Sequence, residues 1–341
     1  MNQNQALESL RCYREALAAL RAEFGPVRYL PAVDFFLFGM GPRRKLIYRD
    51  GMLLDARSGE VLRRWDVDSA VIVPPAYSVF IRERDGKQVC ITEDENAVWL
   101  EEEGERRALS EGGLHLPAFS GHKYAPILRV LHQEILINIL DGLPVPNFLV
   151  YRKPWYRDGA LMAMALAKTG NLGLIEDWIL NLGEAYDTNN AGETEADNLG
   201  QALYLISLVA DRDHPLVPQI LAEFPKYEED NHIRGRSDFA EHPVYQTKWA
   251  KFGLAALGLP DPYCIPAIPD SYSALFWWAY HDRHVEGSRF AELDYPYLGW
   301  AEAHFYAETT APLGDRDYPL SWEANASQAD YPALEILSPK Y

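Results

Sequence analysis

The sequence predicts a mainly α fold: an (α/α)6 or irregular helical toroid preceded by an N-terminal antiparallel β-rich segment. Three observations carry that prediction. Short β-type runs separated by turn pairs fill residues 33–118. From about residue 121 onward, helical stretches that are apolar on every side alternate with amphipathic ones. Polar and aromatic residues gather where the apolar stretches begin. A helix that is apolar all round must be buried on all sides, whereas an amphipathic one suits an outer layer.

The elements follow in order. Residues 5–24 (QALESLRCYREALAALRAEF) have helical spacing, with Leu7, Leu10, Leu17 and Leu20 near one face, and Gly25-Pro26 stops the helix. FFLFGM, KLIYRDGMLLDA, VLRRWDV, AVIVPPAY, VFIRER, KQVCITE and AVWLEEE read as strands. The turns between them include Arg49-Asp50-Gly51, Ser58-Gly59 and Asp85-Gly86, giving an antiparallel meander of about five to seven strands. Gly39-Met40-Gly41 lacks the rest of a dinucleotide fingerprint and reads as a turn. HKYAPILRVLHQEILINILDG reads as a helix ended by Asp141-Gly142 and then Pro144. LMAMALA, ALYLISLVA and YSALFWWAY read as inner helices, and LIEDWILNL and LVPQILAEF as outer ones. Inner starts fall near 158, 197, 246, 272 and 299, with a sixth near 322. The expected organisation is a helix over 1–28, a β-rich subdomain over 29–120 and a toroid over 121–341.

Composition narrows the function. Of 341 residues, 48% are apolar and 24% charged, which excludes a disordered or low-complexity chain. No stretch is long and apolar enough for a membrane helix, and MNQNQALESL has no apolar signal core, so a cytoplasmic protein is expected. The three cysteines are far apart and form no metal-ligand spacing, so neither disulfides, metal nor cofactor is expected. A net charge of −18 repels phosphate backbones and argues against a nucleic-acid partner. Exposed edges of the β-segment offer a homodimer contact.

The helix starts carry the chemistry. Trp155, Arg157 and Asp158 open one apolar stretch, and Glu193, Glu195, Asp197, Asn198 and Gln201 surround the start of the next. Lys248 and Trp249 follow Tyr245, and Tyr272, then Trp300, Glu302 and His304, then Trp322 and Glu323, continue the series. If the inner helices run parallel, these groups share one mouth, the default place for a site. Carboxylates and amides hydrogen-bond sugar hydroxyls, and tryptophan rings stack on sugar C–H faces. Cleavage of a glycosidic bond needs two carboxyl groups, one to protonate the leaving oxygen and one as base or nucleophile. Each residue also has a plainer reading. Asp158 and Asp270 are competent helix caps, and Glu193, Glu195 and Asp197 are acids of the kind common in a first helical turn. Trp277 and Trp278 lie mid-helix and read as core.

At WYRDGALMAMALAKTGNLGLIEDWI the chain resembles the six-hairpin glycosidases, the glucoamylase-like and trehalase-like enzymes, over about residues 120–341. The resemblance implies that Arg157 and Asp158 clamp hydroxyls of a terminal sugar. It also implies catalytic carboxylates at later inner-helix starts, with Glu193 or Glu195 as general acid and Glu323 as a late base. The expected function is hydrolysis of a small oligosaccharide or glycoside. Two alternatives stay open. One is a sugar epimerase or polysaccharide lyase using His232, His242 or His304 with Tyr245 or Tyr272; the other is a non-catalytic carbohydrate-binding protein.

Overall fold

Asp50-Gly51 and Glu103-Gly104 set the folding pattern of the N-terminal region. Both residues of each pair have positive φ (47° and 72°; 53° and 84°). A two-residue hairpin with that geometry matches the right-handed twist of its flanking strands. A computed structural model of the chain describes residues 3–24, 35–189, 191–237 and 240–266. Within those residues the chain forms two units: residues up to 154 with 165–175, and residues 155–164 with 176–266.

The first unit begins with helix α1 (Gln3–Phe24). Its buried stripe starts Ala6, Leu10 and Tyr13, which pack against Val73, Ala76 and Phe80. The face expected from the leucine spacing is therefore rotated, and Leu7 is exposed. Nine strands follow as two antiparallel meanders, more than the five to seven expected. The first sheet comprises β1 (Phe35–Phe38), β2 (Leu46–Arg49), β3 (Met52–Asp55) and β4 (Val61–Arg64). The second comprises β5 (Val67–Val73), β6 (Ser78–Glu83), β7 (Gln88–Glu93), β8 (Ala97–Glu102) and β9 (Glu105–Glu111). Alternate residues turn inward, and Phe36, Phe38, Leu46 and Leu53 share one core with Val79, Ile81, Val89, Ile91, Val98 and Leu100.

A polar knot closes one end of that core. Arg43 Nη1 and Glu93 Oε1 lie 2.9 Å apart with both side chains fully buried. Glu93 also accepts from the backbone N–H groups of Gly39 (3.0 Å) and Met40 (2.7 Å). Lys45 Nζ donates to the carbonyls of Gly39 and Gly41. The Gly39-Met40-Gly41 turn is thus filled by the protein's own carboxylate and ammonium groups.

Helix α2 (Ala125–Ile137) is shorter than the expected helix. Asp141 and Gly142 both have positive φ, and they close a hairpin that pairs Leu140 with Leu143. Helix α3 (Tyr156–Thr169) contributes its first residues to the second unit and its last to the first.

The second unit adds α4 (Glu176–Leu180), α5 (Asn198–Val209), α6 (Val217–Glu223) and α7 (Pro243–Ala256). Residues 198–206 of α5 are all buried, as its all-round apolar sequence requires. Helices α5 and α7 meet through glycine. A Cβ on Gly200 would lie 2.2 Å from the Trp249 carbonyl, and one on Gly253 would lie 2.3 Å from the Gly200 carbonyl oxygen. Only residues without a side chain permit that approach. Tyr245 reaches Asp197, Trp249 meets Gly200, and Tyr204 stacks on Phe252 at 4.7 Å. Contacts advance in the same direction along both helices, so α5 and α7 run parallel.

The fold is not the mainly α toroid expected, whether six-hairpin or irregular. A ring of helical hairpins needs outer helices comparable with the inner ones. The described outer segments are stubs of five residues in α4 and seven in α6, each joined to a 3-10 turn. Pro225 lacks the N–H that a continuing helix would need, so α6 gives way to a turn. Nine strands of meander also take a share of the chain that a mainly α fold does not allow. The helix starts expected near 272, 299 and 322 lie outside the described residues.

Candidate functional site

Three described helix starts of the second unit supply one connected polar cluster. Arg157, in the first turn of α3, donates from Nη1 to Glu195 Oε2 at 3.1 Å. Asn189 Nδ2 donates to the other oxygen, Oε1, at 3.1 Å. The orientation of that amide is set locally. Asn189 Oδ1 accepts from the backbone N–H groups of Ala191 (2.9 Å) and Glu193 (3.0 Å), which turns its NH2 toward Glu195. Glu195 is buried, at 4% exposure, and both of its oxygens act as acceptors, the role of an ionised carboxylate.

Asp187 stands beside this pair. It lies on the loop before α5, and its Oδ2 accepts the backbone N–H of Tyr156 at the start of α3. Burial pushes its carboxyl up to about 7, with the charges of Asp197 and Glu195 adding to the effect against Arg157 and the Tyr156 N–H. A carboxyl with that value keeps its proton below neutral pH, so the cluster pairs a protonated acid with a charged one.

Asp197 anchors the other half. Ser237 Oγ donates to its Oδ1 at 2.5 Å, and Gln201 Nε2 (2.6 Å) and Tyr245 OH (3.1 Å) donate to its Oδ2. Asn198 Nδ2 then donates to Gln201 Oε1 at 3.0 Å. Gln246 ties Ser237 back to the Gly235 backbone, with Nε2 donating to Ser237 Oγ (3.1 Å) and to the Gly235 carbonyl (2.7 Å). Burial and Asp197 hold the Tyr245 phenol well above its ordinary value, so it serves as a neutral donor.

The expected site residues are distributed as follows. Arg157, Glu195, Asp197, Asn198 and Gln201 belong to the cluster. Trp155 is half-buried with its ring 5.7 Å from the Arg157 guanidinium, and Asp158 is half-buried in the first turn of α3. Glu193 is exposed, 3.8 Å from Arg236, and is not among the groups that meet Glu195. Lys248 and Trp249 are fully buried in α7, where the Trp249 ring contacts Tyr204 and Phe252. Tyr272, Trp300, Glu302, His304, Trp322 and Glu323 lie outside the described residues. Of the residues named for proton abstraction, His232 is half-buried and His242 buried, and Tyr245 joins the cluster.

Asp187, Asn189 and Ser237 were not anticipated. Asp187 and Asn189 lie in the segment between α4 and α5, and Ser237 ends the short strand Arg236–Ser237, so none of them stands at a helix start. The available signal was Tyr-Asp-Thr-Asn-Asn at 186–190, a polar loop close before Glu195 and rich in residues that bond nearby backbone.

Among the described residues, no group of three or more His, Cys, Asp or Glu side chains is arranged to hold a metal ion. No described helix is long and apolar enough to cross a membrane. The resemblance to six-hairpin glycosidases falls with the toroid, because its Trp-Tyr-Arg-Asp motif opens α3 in a unit whose described residues form only short outer helices. No family model, curated protein or solved structure matches the chain.

Proposed function

We propose that the second unit is a carboxyl acid–base catalyst acting on a neutral, hydroxyl-rich substrate, with hydrolysis of a small glycoside as the reaction. One observation carries the reading. A carboxyl with a value near 7, Asp187, stands in the same cluster as a carboxylate, Glu195, whose two oxygens are held by Arg157 and Asn189. Two carboxyl groups kept in opposite protonation states are what glycosidic cleavage requires. In this reading Asp187 protonates the leaving oxygen. Glu195 serves as the ionised partner, either attacking the anomeric carbon or activating water. The acid role thus passes from Glu193 or Glu195 to Asp187. A cytoplasmic location belongs to the same proposal, supported by cysteines that are all free thiols among the described residues.

The test is a panel of 4-nitrophenyl glycosides and disaccharides against wild type, Asp187→Asn and Glu195→Gln. The expected result is turnover of one member by wild type and a loss of about 10²- to 10⁴-fold in each variant. Wild-type activity should fall as pH rises through about 7, where Asp187 gives up its proton. Absence of turnover across the panel, or full activity in Asp187→Asn, would refute the assignment.

A further inference from the structure

The hydrogen bonds of Asp197 fix which end of a neighbouring amide is presented. Asp197 is acceptor-only as a carboxylate, so Gln201 must turn its NH2 toward it, at 2.6 Å. Gln201 Oε1 is then left to accept from Asn198 Nδ2, at 3.0 Å. Two amides whose orientation is ambiguous in isolation are thereby set in series. The last atom of the series is Asn198 Oδ1. Asn198 is 1% exposed, and among the described residues no donor meets that oxygen. An unmet buried acceptor of this kind costs roughly 1–3 kcal/mol, so a fold that retains one has a reason to do so.

We infer that Asn198 Oδ1 is a specificity contact that accepts a hydrogen bond from a substrate hydroxyl, which selects neutral sugars over sugars carrying a carboxylate or phosphate at that position. The inference rests on the proposed function of the same cluster and adds the polarity of one contact. A carbonyl oxygen fixed as an acceptor rewards a donor and repels an anion. Glu195 and Asp197, both next to the same series, strengthen that repulsion.

The experiment measures binding separately from turnover. Methyl glycosides of the neutral hexoses, the matching uronates and a monofluoro-deoxy series are titrated calorimetrically into the full chain. Fluorine replaces a hydroxyl without donating. Wild type should bind one neutral hexoside, reject its uronate, and lose about 10- to 100-fold in affinity at one fluorinated position only. Asn198→Ala should bind parent and that analogue equally, while Asn198→Asp, which keeps an acceptor, should still prefer the parent. The wild-type series alone decides if either variant fails to fold. Equal affinity across the fluorinated series, or no binding of any neutral hexoside, overturns the inference. A hexoside that binds as expected but whose glycosides are never cleaved leaves the contact standing and removes hydrolysis. Cleavage with no preference across the fluorinated series does the reverse.

Discussion

Replacing Asp187 with Asn tests the electrostatics of the cluster without any substrate. Asn keeps an oxygen to accept the Tyr156 N–H and removes the titrating proton. The carboxyl moves from an ordinary 3.8 to about 7 in the folded chain. At about 1.4 kcal/mol per unit the displacement is on the order of 4 kcal/mol, and half-burial reduces it to about 2–4. The sign follows from proton counting. Below about pH 4 both folded and unfolded chains hold the proton, and Asp187 costs nothing. Between about 4 and 7 the folded chain keeps the proton while the unfolded chain releases it, so wild type loses stability as pH rises. Above about 7 the folded chain carries the whole penalty of a crowded, desolvated charge. Asp187→Asn escapes it. Urea unfolding followed by tryptophan fluorescence should show the two proteins nearly equal at pH 4 and the variant more stable by about 2–4 kcal/mol at pH 8.5. A gap that does not vary with pH, or a variant less stable at pH 8.5, would refute the assignment of Asp187 as a raised carboxyl.

Other consequences can be checked on the same purified chain. Gly200→Ala should destabilise by about 3 kcal/mol, because its methyl group would meet the Trp249 backbone and force α5 from α7. Gly113→Ala, where a Cβ meets nothing within 4 Å, should stay within about 0.5 kcal/mol of wild type in the same denaturation assay. Arg43→Leu should cost about 3–5 kcal/mol at pH 8, since it leaves the Glu93 carboxylate buried without its cation. That cost should shrink as the pH is lowered, because burial already holds the Glu93 carboxyl above its usual range and protonation removes the charge. Lys45→Met should cost about 1–3 kcal/mol by leaving the Gly39 and Gly41 carbonyls without their donor, and faster amide exchange around residue 40 would localise the effect.

Much of the local structure could be read from short patterns. Asp50-Gly51 sits in a tight hairpin because few other residue pairs tolerate two positive φ angles in succession. The apolar run of α5 is buried on all sides, as its composition demands. Where two signals overlapped, the reading failed. Asp141-Gly142 followed by Pro144 is equally a helix stop and a hairpin, and the pairing of Leu140 with Leu143 decides for the hairpin. The leucines of α1 pointed to one face, but Val73, Ala76 and Phe80 on the neighbouring elements bury the adjacent one. Site residues at helix starts, such as Arg157 and Glu195, were visible because acids, amides and a guanidinium interrupt apolar runs there. Asp187 was not visible, since nothing in a loop sequence tells which of several polar residues folds back onto a helix start 31 residues earlier. Trp249 reads as a sugar-stacking ring by position, yet its ring is fully buried against Tyr204 and Phe252.

The parallel course of α5 and α7 has an electrostatic consequence. Peptide dipoles aligned along each helix place roughly half a positive charge at its N-terminus. Two helices crossing head beside head bring both positive poles to the place where Asp197 and Glu195 are buried. The backbone field favours anions there and offsets part of their mutual repulsion, with no added cation. Reversing either helix would set a negative pole against the same carboxylates, so the direction of the chain through this crossing is as much a part of the electrostatics as the side chains it carries.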